Sequence, residues 1–324
     1  VEKTINKDKI MKKILTSILI GALAYACGGE EKADTDGGDM NMTMNTPTTK
    51  RLPIATRGTI QSPDSEDANF NCLAMKPVPT STAMAADFSL EIKDFEDDFY
   101  TEGLRVQVFA NNKIDLDKCE APNCVEGMTN ANGIVEMSSA RAVPGSWYAY
   151  RVFAKMGTTR DNTAVDSVQF NEIAPKAGGS IDGISVSIRT LDLIPTVLGF
   201  NRAPGTSIVA GSIVDCDGKD VYGTRVRMYD VDGTEIVEGL KQSEPHFRYF
   251  DGDSFPSATQ EFSHVDGLFA GANLPIPNGT SRDIRIDIEG RLVGDSEPQL
   301  LARANAAIFP DTVTIINLQP LYAQ

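Results

Sequence analysis

The sequence predicts an all-β protein, organised as two tandem small antiparallel β-sandwich domains behind an export leader and a disordered tether. Three observations carry this expectation. Short runs of alternating apolar and polar residues, bounded by Gly, Asn, Asp or Pro, recur from Phe88 to the C-terminus. Segments of the chain repeat in the same order: GLRVQVF at Gly103–Phe109 matches GTRVRMY at Gly223–Tyr229, and TNANGIVE at Thr129–Glu136 matches SHVDGLFA at Ser263–Ala270. No segment shows a helical period of useful length.

Taken in order, the first half reads as the strands FSLEIKDF, LRVQVFA, GIVEM, SWYAYRVFA, DSVQFNEI and GISVSIRT. Asn130-Ala131-Asn132-Gly133 supplies residues that tolerate positive φ, so a tight turn joins two strands there. Alternation puts Trp147, Ala149 and Arg151 on one face of their strand and Tyr148, Tyr150 and Val152 on the other, with the aromatics filling a core. Thr190–Thr206, with Pro195, Gly199, Pro204 and Gly205, breaks the alternation and reads as the connection between the halves. Its Leu191, Leu193, Ile194, Val197, Leu198 and Phe200 are expected to pack against a domain rather than leave it free to swing. The second half continues with strands at IVAGSIVDC, VYGTRVRMYD, TEIVEG, HFRYFDG, TQEFSHV, LFAGANLP, RDIRIDIEGRLV, LLARANAAIF and TVTIINLQPL.

The N-terminal region reads differently. Met11 opens a segment with Lys12 and Lys13, then the apolar run ILTSILIGALAYA, then Cys27, which has the parts of an export signal and is too short for a permanent bilayer span. Ala24-Tyr25-Ala26-Cys27-Gly28-Gly29 resembles a bacterial lipobox, which implies cleavage before Cys27 and its acylation. Acyl chains there would hold the protein at a membrane, each buried methylene contributing about 0.8 kcal/mol. From Gly28 to Asn69 there is no Phe, Trp or Tyr, so the stretch cannot bury enough apolar area to offset its ordering entropy. The expected organisation is a signal peptide at 1–26 with its true start at Met11, the lipidated cysteine and tether at 27–84, and sandwiches at 85–200 and 201–324. A bacterial cell envelope location follows, membrane-anchored and on the outer membrane, periplasmic or surface-exposed.

Charge narrows the partners. A formal charge of −15 over 324 residues repels phosphate backbones, which argues against nucleic acid. Two histidines leave little for imidazole chemistry, and no G-x-S-x-G elbow, H-E-x-x-H helix or phosphate-cradling Gly loop occurs. The expected protein is therefore no enzyme and needs no cofactor, the alternative being a metal-dependent extracellular enzyme, with calcium a candidate metal, or a carbohydrate-binding module that uses the loops of the second domain. It presents its sandwiches for binding or spacing, with an envelope protein or polysaccharide as partner.

At GSIVDCDGKDVYGTRVRMYDVDG, followed by FSHVDGLFAGANLP, the sequence resembles the carboxypeptidase regulatory-like (transthyretin-like, prealbumin-like) β-sandwich domains, which implies Ig-like/transthyretin-like sandwiches. The likeness covers about residues 208–290 well and 88–155 more weakly. It implies rigid spacer or binding modules with loops presented on a stiff frame.

Several residues are candidates for chemistry. Beyond Cys27 four cysteines remain, an even number that reads as disulfides in an exported chain: Cys119 and Cys124 bracket the turn-forming EAPN, leaving Cys72 and Cys216 to pair. Three acidic turns, Asp215/Asp217, Asp230/Asp232 and Asp251/Asp253, could offer oxygens to calcium, although none follows the Asp-x-Asp-x-Asp-Gly loop. Met40, Met42 and Met44 could offer thioethers to Cu(I), but read better as linker. His246 and His264 with Tyr222, Tyr229 and Tyr249 are the residue types of a non-haem iron site such as that of the intradiol dioxygenases, a comparison the resemblance invites, but the His-x-His pair of that family is missing. Phe247, Tyr249, Phe250 and Phe255 would form a sugar platform if they clustered on an exposed edge.

Overall fold

The computed structural model describes residues 68–95, 99–137, 142–153, 164–198, 200–252, 255–292 and 297–322. Cys27, the leader, most of the tether, Met40, Met42, Met44 and Asp253 lie outside the described residues.

The first half supplies β1 (Phe88–Asp94), β2 (Arg105–Phe109), β3 (Cys124–Met128), β4 (Ile134–Met137), β5 (Trp147–Phe153), β6 (Ser167–Ile173) and β7 (Ser180–Ser185). The second supplies β8 (Ser207–Ser212), β9 (Arg225–Asp230), β10 (Glu235–Ile236), β11 (His246–Phe250), β12 (Pro256–Ser257), β13 (Leu268–Leu274), β14 (Arg282–Gly290), β15 (Gln299–Ile308) and β16 (Val313–Ile316). They form a three-stranded sheet β4-β1-β7, a four-stranded sheet β10-β9-β14-β15, and a nine-stranded sheet β12-β11-β13-β8-β16-β6-β5-β2-β3.

The halves share one topology. β1 lies between antiparallel β4 and parallel β7, as β8 lies between antiparallel β13 and parallel β16. β2, β5 and β6 run in antiparallel succession, as do β9, β14 and β15. The repeated sequences make the same bonds. Thr129 receives the amides of Gly103 and Leu104 and donates its own to Leu104, and Ser263 does the same with Gly223 and Thr224. Gly133 and Gly267 both take positive φ, and their carbonyls accept from Ile92 and Ile213 respectively. A side chain at either glycine would lie 2.6 Å from the carbonyl oxygen of that same isoleucine, so the turn requires glycine twice over.

Each half packs sheet on sheet. Leu90, Ile92, Val106, Val108, Tyr148, Tyr150 and Val152 form the first core, which confirms the two faces expected of the Trp147 strand. Trp147 itself sits half-buried at the margin, edge-on to Tyr322 at 5.2 Å between ring centres. Val209, Met228, Phe269, Ile284, Ile286, Ile288 and Ile308 belong to the second core, which extends onto Ala149, Val168 and Phe170 of the first half.

That extension exists because the two sandwiches share an edge. β16 pairs parallel with β8 on one side and with β6 on the other, aligning Val313–Ile316 with Ser167–Phe170. The approach of β8 to β16 is close: a side chain at Gly211 would lie 1.8 Å from the Ile316 carbonyl oxygen. Only glycine fits there.

Helix α1 (Ile188–Val197) corrects the expectation of a chain without helices. Ser187 caps it by accepting from the Thr190 amide at 3.0 Å, and Ile188, Leu191, Ile194 and Leu198 turn to one side. The connection packs as expected, against Ile208, Ala272 and Val313. At ten residues with Pro195 inside, the helix is too short for its period to stand out from the flanking strands. Two further corrections concern strands: Thr259–Val265 carries none, being held in turns around Ser263, while Cys124–Met128, which the alternation does not mark, forms β3 directly after the Cys119–Cys124 loop.

Both expected disulfides form, Cys72–Cys216 and Cys119–Cys124, spanning 144 and 5 residues of sequence. The longer one ties the segment before β1 to the turn after β8, where Cys216 also donates its amide to Asn69. Chain-entropy arguments make its loss cost about 5 kcal/mol and that of the short bridge about 2 kcal/mol. Denaturant titration of Cys72→Ser/Cys216→Ser and Cys119→Ser/Cys124→Ser should therefore place the first variant's midpoint clearly below the second's. Equal midpoints would show that the long bridge does not constrain the unfolded chain.

Candidate functional site

The turns of the second sandwich hold the described acidic residues singled out by sequence. Asp215 is buried in the β8–β9 turn, where one carboxylate oxygen accepts from the Asp217 and Lys219 amides (2.9 and 3.0 Å) and the other from the Asn69 amide (2.7 Å). Asp217 accepts from the Asn69 side-chain amide at 3.1 Å. Asp230 takes a bidentate pair of bonds from Arg282 at 2.5 and 2.6 Å. Asp232 accepts from the Thr234 amide, a bond that lowers its pKa, and Asp251 accepts from the Phe255 amide at 3.0 Å. Each of these carboxylates thus serves a turn or an arginine. Among the described residues no group of three or more His, Cys, Asp or Glu side chains converges as a metal site would require.

The histidines and tyrosines have separate surroundings. His246 is buried and stacks on Phe200 at 4.8 Å, with its ring nitrogens near the Lys241 carbonyl (3.1 Å) and the Glu238 carboxylate (3.4 Å). His264 meets Tyr222 edge-on at 5.0 Å, and Phe262 meets the same tyrosine at 5.4 Å. Tyr249 is buried and its hydroxyl accepts from the Val226 amide at 2.8 Å. Tyr229 lies on the outer face of β9 beneath the Arg285 guanidinium, 4.4 Å from the ring centre. Of the four aromatics of the sugar platform, Tyr249 and Phe250 are buried and Phe247 and Phe255 half-buried, so they do not share an exposed edge.

Two features carry no sequence motif. Asn273 is 1 % exposed, with φ at 55°, in a strand that otherwise reads as apolar. Its side chain donates to the Asn201 and Gln242 carbonyls (2.9 and 2.8 Å) and accepts from the Ala203 amide (2.9 Å), pinning the connection to β13. An asparagine in LFAGANLP is the only signal for it. The second feature is a lattice on the outer face of β9, β14 and β15. Arg227 pairs with Glu235 and Glu289, and Arg303 holds the buried Asp287 through two bonds of 2.7 Å. Glu235, more than any other neighbour, raises the pKa of Arg227. Only the cross-strand register, which sequence does not give, shows these residues to be neighbours.

No protein-family model matches this chain, and no curated protein matches it. Among solved structures, it is similar to an intradiol ring-cleavage dioxygenase from Tetranychus urticae, at 14 % identity over 37 % of this chain and 64 % of that one, with a TM-score of 0.19. It is also similar to a shaft pilin from Lactobacillus rhamnosus GG (11 %, 74 % and 98 %, TM-score 0.21) and to the major pilin from Streptococcus pyogenes (10 %, 74 % and 100 %, TM-score 0.19). The chain spans about two thirds of the dioxygenase's length. Likenesses with TM-scores this low carry no argument about what this chain does.

Three phenols are buried in the cores. Burial pushes the Tyr249 hydroxyl up to about 12 and raises those of Tyr148 and Tyr150 further. A phenol kept neutral by burial contributes its stability in full below the unfolded value of about 10, and loses it as pH rises from there through the folded value. Stability should be flat with respect to these groups at neutral pH and fall from about pH 10 upward. Absorbance of tyrosinate should then rise together with unfolding for the buried phenols. Their titration near 10 in a chain still folded would contradict this packing.

Proposed function

We propose that the chain is a non-enzymatic, exported protein, anchored by acylated Cys27 at a bacterial membrane, whose two sandwiches act as a stiff binding or spacing element outside the cytoplasm. The observation that carries this reading is the combination of two disulfides with a sheet continuous across both halves. Disulfides suit an oxidising compartment. A shared sheet suits a body that must keep its shape, because a hinge between the halves would break backbone bonds of β6 to β16. The lipobox-like residues Ala24–Gly29 support the anchor, and the likeness of residues 208–290 to regulatory-like sandwiches supports a frame that presents loops. Charge favours neutral, polar or basic envelope components over anionic ones.

Cys27→Ala, expressed with the native leader in a bacterial host, tests the anchor. The unaltered chain should fractionate with membranes and carry an acyl mass on its N-terminal peptide, and the variant should be soluble after export. An unmodified Cys27 in membrane-extracted protein would overturn the reading.

A further inference from the structure

The shared topology assigns every strand of the first sandwich a counterpart in the second, and the counterparts of the junction differ in chemistry. Register through β2 and β9 equates Ala149 with Arg285, and register through β5 and β14 equates Val168 with Arg303 and Gln169 with Ala304, so that one step further along each strand, where β6 bulges, Phe170 corresponds to Asn305. The first three are at most 1 % exposed, because the second sandwich's core continues over them where β16 meets β6. Their counterparts beside β15 are solvated: Arg303 and Asn305 are exposed and Arg285 is half-buried.

The other partner of such a junction also exists on the first sandwich. Parallel register through β1 and β8 equates Val313–Ile316 with residues 178–181 at the start of β7. Ser180 and Asp182 are exposed there, whereas Val313, Thr314 and Ile316 are buried against their neighbours. The chain thus carries one completed junction, β6 to β16, and the two halves of a second: β7 at one end, and at the other β15, whose edge the C-terminal tail bridges at Ala302 through Pro320 and leaves open beyond it. Such an interface is heterologous, and repeating it would join copies head to tail.

We propose that the charged face of β15 is an end cap: Arg285, Arg303 and Asn305 keep a second copy of this chain from docking its β7 edge where β16 docks on β6. Burying Arg303, the solvated member of its pair with the already buried Asp287, against another copy would cost desolvation that a parallel pairing of about four residues does not offset. A polar outer face on the terminal unit is what a short array needs to stay soluble, and charged residues beside the part of β15 left open past the Ala302–Pro320 bridge prevent edge-to-edge pairing there.

The test restores the first sandwich's chemistry at the cap, as Arg285→Ala/Arg303→Val/Asn305→Phe in the full chain. Ala304 and Ser180 are the counterparts of the facing pair Gln169 and Ile315, so Ala304→Cys in one preparation and Ser180→Cys in another report the specific contact. In the uncapped background, mixing the two should yield a disulfide-linked pair, and sedimentation should show association that grows with concentration. In the native background the same cysteines should stay unlinked and the chain monomeric. A link of equal yield in the native background, or an uncapped chain that folds and remains monomeric at the same concentration, would overturn the proposal. Arg303→Val alone with the same reporters covers the case in which the triple variant does not fold: a link several-fold above the native background is expected, and none would count against the cap.

Discussion

Everything in this fold leans on the parallel pairing of four residues, Val313–Ile316, with Ser167–Phe170. Without it the nine-stranded sheet would fall into two, and the second core would lose the surface of Ala149, Val168 and Phe170 over which it spreads. The pairing depends in turn on Gly211, since β8 must approach β16 closely enough for the Ile316 carbonyl to occupy the place of a side chain. Tyr322 against Trp147 and the Cys72–Cys216 bridge reinforce the same seam from the C-terminal tail and from the segment before β1. The body is a pair of sandwiches joined by backbone bonds.

The sequence makes the repeat legible because the repeat is enforced by backbone geometry. Gly133 and Gly267 have to be glycine, and Thr129 and Ser263 have to offer a hydroxyl to an otherwise unpaired amide, so both survive as visible matches. Alternation likewise gives the buried face of the Trp147 strand, and cysteine arithmetic gives both bridges. The joining of the sandwiches is a different kind of fact. Alternation reports that Val168 and Phe170 are apolar on a face that a lone sandwich would leave to solvent, but it does not name what covers them. The outward-facing Val168 and Phe170 were the available clue, and only the register of β16 explains them.

The loops were legible as turns and less so as chemistry. Asp215, Asp230, Asp232 and Asp251 sit where turn chemistry puts aspartate, and each already accepts from a backbone amide or from Arg282. The composition of those turns suits calcium and suits turn formation equally, and only the hydrogen bonds distinguish the second use. His246 and Tyr249, three residues apart on β11, serve packing and backbone satisfaction respectively. Asn273, which secures the connection between the halves, lay hidden because a single polar residue in an apolar run has no spacing to betray it.

Native-state hydrogen exchange at the seam tests this account most directly. If the sandwiches are joined as one cooperative body, amides of residues 167–170 and 313–316 should exchange together, and only through the opening that unfolds the whole disulfide-intact chain. Exchange of residues 313–316 through a much smaller opening, with β8 and β5 still protected, would show the sandwiches to be merely adjacent, and the shared sheet would not be what holds the molecule together.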